Sequence, residues 1–113
     1  MIDESEITGG AESHSFTTTL VQWHSESHGT WHFIGVPAPV AEALDAAALM
    51  HRLETGRRSG FGSLKLTIRI GDSEWRTSAF PLHEKGWSIP VSAKVRKAEG
   101  LIAGDTIEAT LRV

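Results

Sequence analysis

Apolar and polar residues alternate strictly in one short segment of the chain, and this alternation predicts a β-strand. In LKLTIRI, residues 64–70, four aliphatic side chains alternate with three polar ones, as in a strand with one buried face. The pair Gly71-Asp72 then predicts a tight turn into a second strand, SEWRTSAF. The segment therefore indicates a β-hairpin.

Four further segments are rich in β-branched and aromatic residues and predict strands. FTTTLVQWH and TWHFIGV flank a polar loop, residues 25–29, which predicts a first hairpin. GWSIPV follows the loop 81–85 as a short strand, and TIEATLRV closes the chain. The chain is therefore predicted to be mostly β.

Two segments have helical features. Between about 39 and 53, apolar residues recur at helical spacing, and Pro39 suits a first helical turn. The second helix follows Ser92, whose hydroxyl can cap free N–H groups, and Gly100 suits a left-handed C-terminal cap.

An internal repeat links the two halves of the chain. When the sequence is shifted by 55 residues, apolar positions around the start of each helix coincide. The matching positions are Ile34, Val36, Ala38, Val40 and Ala43 with Ile89, Val91, Ala93, Val95 and Ala98. The repeat predicts a pseudo-twofold β-barrel with two short helices that cover its ends, and closure would remove exposed sheet edges.

The charge distribution divides the chain into two parts. Residues 1–15 contain four acids and no Lys or Arg, whereas residues 16–113 carry 10 acids and 11 bases. We expect residues 1–14 to form a disordered acidic tail and residues 15–113 to form one domain. A nearly neutral domain is a poor candidate for binding nucleic acid through bulk electrostatics.

Composition excludes several classes of protein. There is no cysteine, so disulfides, thiolate zinc sites and cysteine nucleophiles are ruled out. No segment has the roughly 20 apolar residues of a membrane span, and the N-terminus lacks the basic start and apolar run of a signal peptide. We therefore expect a cytoplasmic protein, without a membrane partner, that is a monomer or a weak homodimer.

The segment from GFGSLKLTIRI to GDTIEATL resembles the C-terminal two-thirds of an uncharacterised bacterial family, the domain of unknown function 1905. The earlier segment Trp31–Pro37 resembles the family's N-terminal part. The resemblance covers about residues 16–113 and implies a double-split β-barrel capped by α-helices. The family has no assigned activity, cofactor or catalytic residue to carry over.

The shorter segment IPVSAKVRKAEGLIAGDTIEATL is similar to the swapped-hairpin motif of AbrB-like and MazE-like DNA-binding proteins. In those proteins two chains each supply half of a barrel, whereas here the second half lies in the same chain. The similarity bears on fold, and it implies function only by analogy.

Several residues are candidates for binding a ligand. The glycine-rich segment 56–63 carries Arg57 and Arg58, which could hold an anion or could belong to a plain helix-to-strand connection. Trp75, beside Arg76, and Trp87, beside Gly86, are the tryptophans expected to be accessible, although strand aromatics also serve as core.

Two other sets of residues have a functional and a structural interpretation. Lys94, Arg96 and Lys97 could contact phosphate, or they could form a solvated helix face whose charge suits the helix C-terminus. The third set, His24, His28 and His32, recurs every fourth residue. These histidines fall on a predicted hairpin rather than a helix, so we predict no metal site.

No catalytic motif is present, neither G-x-S-x-G nor H-E-x-x-H, and no pair of carboxylates has an apolar setting. The sequence therefore favours a binding module for a small anionic or aromatic ligand or a protein partner, without a cofactor. The alternative is a nucleic-acid-binding relative of the swapped-hairpin regulators.

Overall fold

The structure, a computed structural model, describes residues 13–56, 62–82 and 86–113. Six strands and two helices lie in these ranges. They are β1 (Ser13–Ser25), β2 (Gly29–Val36), α1 (Ala38–Thr55), β3 (Leu64–Ile70), β4 (Ser73–Pro81), β5 (Trp87–Pro90), α2 (Ala93–Glu99) and β6 (Thr106–Arg112). The predicted elements are all present in this order, and β1 begins at Ser13, where it pairs with Arg112 of β6.

The strands form a closed antiparallel barrel in the order β1-β2-β5-β4-β3-β6. Alternate residues of each strand point inward, and the fully buried ones form one core with the inner faces of the helices. The largest buried side chains are Leu20, Ile34, Leu44, Leu66, Ile68, Ile89, Ile107 and Leu111. The predicted mostly β barrel with two helices is confirmed.

The helices begin and end where the sequence predicts, because their caps are local. The Ser92 hydroxyl accepts a hydrogen bond from the Val95 N–H, and Gly56 and Gly100 end their helices in the left-handed conformation. Val40, Ala41 and Leu44 of α1 and Val95 of α2 are buried in the core. No helix in the described ranges is long and apolar enough to cross a membrane.

The predicted repeat corresponds to a local twofold axis. Ile34 and Ile89, which are 55 residues apart, are direct partners between β2 and β5, so the axis passes between them. The register also relates the hairpins. Leu20 lies opposite Ile34, and Ala79 continues the β4–β5 register opposite Ile89, so β1 and β4 correspond with an offset of 59.

Two of the strands leave a neighbour partway along their length. β1 pairs with β2 from Leu20 onward, whereas Ser13–Thr19 pairs with β6 alone. β4 pairs with β3 from Ser73 to Ala79 and with β5 at Phe80 and Pro81. We call the gap between Ser13–Thr19 and β2 the first split, and the gap between Ser73–Ala79 and β5 the second split. The twofold axis relates them.

Candidate functional site

The second split contains a cavity of about 350 Å³ between β2, β4 and the start of α2. Its lining includes Trp31, His32, Trp75, Thr77, Pro90 and Arg96. Pro90 helps to create the opening, because it has no N–H to donate to β4. The Val91 N–H donates to the His32 carbonyl oxygen at 2.9 Å, so the chain after β5 stays with β2 and leaves β4.

Arg96 supplies the positive charge of this cavity. Its Nε donates to the Val91 carbonyl oxygen at 3.4 Å, and its Nη1 lies 3.4 Å from His32 Nε2. These contacts turn the guanidinium back towards the barrel. In the described ranges no carboxylate forms an ion pair with Arg96. A half-buried guanidinium whose hydrogen bonds are this long retains donors for an anion.

His32 lies beside Arg96 and is neutral at physiological pH. Desolvation by burial, and then the charge of Arg96, lower the pKa of His32 below the ordinary histidine value. The neutral ring can accept a hydrogen bond through one nitrogen and donate through the other. The cavity thus combines one permanent cation with one neutral polar ring.

An aromatic surface adjoins the second split on the outside of the barrel. Trp23 and Trp31 are cross-strand partners and are each 51% exposed. With Phe33, Phe80 and Pro90 they line an apolar cavity of about 370 Å³, which shares Trp31, His32 and Pro90 with the split. We call these five residues the aromatic face. Exposed aromatic clusters of this kind are typical of binding surfaces.

The first split differs from the second although the same axis generates it. The Thr18 hydroxyl donates to the Gly35 carbonyl oxygen at 2.7 Å, which ties β1 to β2. The equivalent positions in the second split are Thr77 and Pro90, between which no hydrogen bond forms. Phe16, the counterpart of Trp75, is buried.

The predicted ligand residues do not form one site. Arg57 and Arg58 lie outside the described residues. Trp75 lines the second split, but the neighbouring Arg76 is exposed on the opposite face of β4, because successive strand residues point to opposite sides.

Trp87, which was expected to be accessible, is only 4% exposed. It points inward from β5, and its Nε1 donates to Asp45 Oδ1 at 2.8 Å. It also lines a separate cavity of about 270 Å³ beside α1, with Asp45 and Arg52. The flexible Gly86 therefore does not leave Trp87 on the surface.

The predicted basic face of α2 is divided. Lys94 and Lys97 are exposed, whereas Arg96 is half-buried and faces the split. Residues three apart share a helix face, but residues two apart do not. The sequence analysis therefore found Arg96 in the wrong group, and the helical period is the signal that could have separated it from the lysines.

The three histidines with regular spacing have separate partners. His24 Nδ1 lies 2.8 Å from the Thr30 hydroxyl, His28 Nδ1 lies 2.9 Å from the Ser27 hydroxyl, and His32 contacts Arg96. In the described ranges no three His, Cys, Asp or Glu side chains form a group that could hold a metal ion.

Comparison with known proteins identifies the family of the chain. The model of the family described as Domain of unknown function (DUF1905) matches residues 16–111. No curated protein matches the sequence. The match spans the barrel from the first buried residue of β1 to the last buried residue of β6. The chain belongs to this family.

Proposed function

We propose that this DUF1905 domain is a binding module whose site is the second split, and that its ligand carries a flat apolar group beside a negative charge. The proposal depends mainly on one observation. The cavity of the split combines Trp31 and Trp75 with Arg96, whose guanidinium has no carboxylate partner in the described ranges. Indole faces favour flat rings, and guanidinium donors favour carboxylate or phosphate oxygens.

The geometry favours this ligand over a long polyanion. Arg96 is the one permanently charged side chain among the residues that line the cavity, and Lys94 and Lys97 point elsewhere. Binding of nucleic acid requires several cations along a phosphate backbone. A single guanidinium between aromatic side chains suits one anionic group next to one ring.

Indole-3-acetate is a suitable first probe, because it joins an indole ring to a carboxylate. The full chain is titrated with indole-3-acetate and with its neutral amide, and thermal stability is measured at low and moderate salt. We expect the carboxylate to raise the melting temperature more than the amide does. A short DNA duplex is tested in parallel.

Two arginine variants locate the site. Arg96→Gln removes the charge in the split, and we expect it to weaken binding of indole-3-acetate about tenfold, the value of one charged hydrogen bond. Arg76→Gln is the matched control, because it removes an exposed guanidinium from the outer face of the same region. Equal effects of the two variants, or stabilisation by DNA alone that salt abolishes, would contradict the proposal.

A further inference from the structure

The free edge of β4 extends the proposed function to a particular kind of ligand. From Ser73 to Ala79, one edge of β4 pairs with β3 throughout. On its other edge β4 pairs with β5 at Phe80 and Pro81, and no strand in the described part of the chain pairs with that edge from Ser73 to Ala79. Unpaired strand edges are sites at which another strand can add.

The register identifies which main-chain groups are free. Ile70 and Ser73 flank the two-residue turn Gly71-Asp72 and form its closing pair. Hydrogen bonding then alternates along β4, so the odd-numbered residues from Ser73 to Ala79 bond to β3. Glu74, Arg76 and Ser78 therefore direct their N–H and C=O groups towards the second split.

The chain itself does not fill this position. A regular continuation of β5 would place Pro90 opposite Ser78, but Pro90 has no N–H. The following residues turn into α2, where Ser92 caps the helix and accepts a hydrogen bond from Val95. One strand position beside β4 is thus without a strand.

The side chains around this edge set the sequence of the strand that fits. Trp75 and Thr77 point from β4 into the cavity, and Arg96 lies across it on α2. Side chains two residues apart on an added strand point to the same face, about 7 Å apart. An aromatic residue and an acidic residue in this relation would meet Trp75 and Arg96 respectively.

We infer that the ligand of the second split is an extended polypeptide segment, with an aromatic and an acidic residue two positions apart, which adds as a strand to the free edge of β4. This inference rests on the proposed function, because it uses the same cavity. It adds main-chain hydrogen bonds to Glu74, Arg76 and Ser78, which a small aromatic anion cannot make along the whole edge.

Amide hydrogen exchange, measured by NMR on the full chain, tests the inference. The probe is the blocked peptide acetyl-Thr-Phe-Thr-Asp-Thr-amide. We expect saturation with the peptide to slow exchange at Arg76 and Ser78 at least tenfold, whereas indole-3-acetate leaves these amides unprotected. Thr17 and Thr19 are the internal controls, because they occupy the equivalent positions at the first split.

Two N-methylated forms of the peptide provide a second test that leaves the protein unchanged. One form carries methyl groups on the amides of Phe and Asp, and the other carries them on the two following Thr residues. A strand presents alternate amides to its two edges, so one form should lose binding and the other should retain it. Equal binding of both forms would overturn the inference.

The outcomes separate this inference from the proposed function. If indole-3-acetate binds through Arg96 but the peptide does not protect Arg76 and Ser78, strand addition is wrong and the binding module stands. If neither probe binds, both proposals fail. Slow exchange at Arg76 and Ser78 in the free protein would also overturn the inference, because the edge would then already be occupied.

Discussion

The two splits of the barrel occupy equivalent positions, yet they differ in how they are filled. At the first split the Thr18 hydroxyl reaches the Gly35 carbonyl oxygen over 2.7 Å. At the second split Thr77 and Pro90 line a cavity of about 350 Å³. The same fold thus produces one bridged gap and one open gap, and the difference lies in a few side chains rather than in topology.

The residues beyond each split show the same division. At corresponding positions of β2 and β5, His32 is half-buried beside Arg96, whereas Trp87 is buried and bonded to Asp45 of α1. α1 has 18 residues and α2 has 7, so the longer helix supplies a partner for the buried indole. One half of the barrel is organised for packing, and the other leaves polar and aromatic groups accessible.

The largest expected effect comes from the packed half. Trp87→Phe removes the hydrogen bond to Asp45 and leaves a void in the core, and we expect it to lower the free energy of unfolding by about 2 kcal/mol. Trp75→Phe, in the open half, should cost less than about 1 kcal/mol but should weaken binding of indole-3-acetate. Urea denaturation measures both. Equal losses of stability would break the comparison.

The bridge across the first split gives a smaller effect. Thr18→Val removes the hydroxyl but keeps the β-branched shape, and it leaves the Gly35 carbonyl oxygen without this donor. We expect a loss of about 1 kcal/mol. Thr77→Val is the matched control at the second split, where we expect little change. A similar loss in both variants would mean that Thr77 also bridges its split in solution.

The smallest effect is a dependence on pH. Because the pKa of His32 is lowered in the folded state, the unfolded chain binds the proton more readily, and stability should fall as the pH drops below about 6.5. Arg96 is the charged neighbour, and His28 lines the adjoining cavity. His32→Gln should reduce the slope of stability between pH 7 and 5. An unchanged slope would remove His32 as its source.

The sequence was sufficient to predict the framework of the fold. Strict alternation at 64–70 predicts β3 to the residue, and Ser92 and Gly100 mark both ends of α2. These signals are local, because a cap or an alternating face depends on neighbours in the chain. The repeat of 55 residues also holds, since Ile34 and Ile89 face each other across the axis.

The location of the site could not be predicted in the same way. Trp75 and Arg76 are neighbours in sequence, but the strand directs them to opposite faces. The equivalence of Thr18 with Thr77 depends on an offset of 59 rather than 55, because the loop of the second hairpin is longer. A single shift of the sequence therefore misaligns the two splits and conceals the contrast between them.

The tryptophan indole N–H resonances test most directly the claim that the second split is the binding site. Trp31 and Trp75 line the split, whereas Trp87 is buried beside α1. On titration with indole-3-acetate in a ¹⁵N–¹H NMR spectrum, we predict that the Trp31 and Trp75 signals shift and that the Trp87 signal stays in place. A shift of Trp87 with no change at Trp31 and Trp75 would contradict the account and would assign binding to the cavity beside α1.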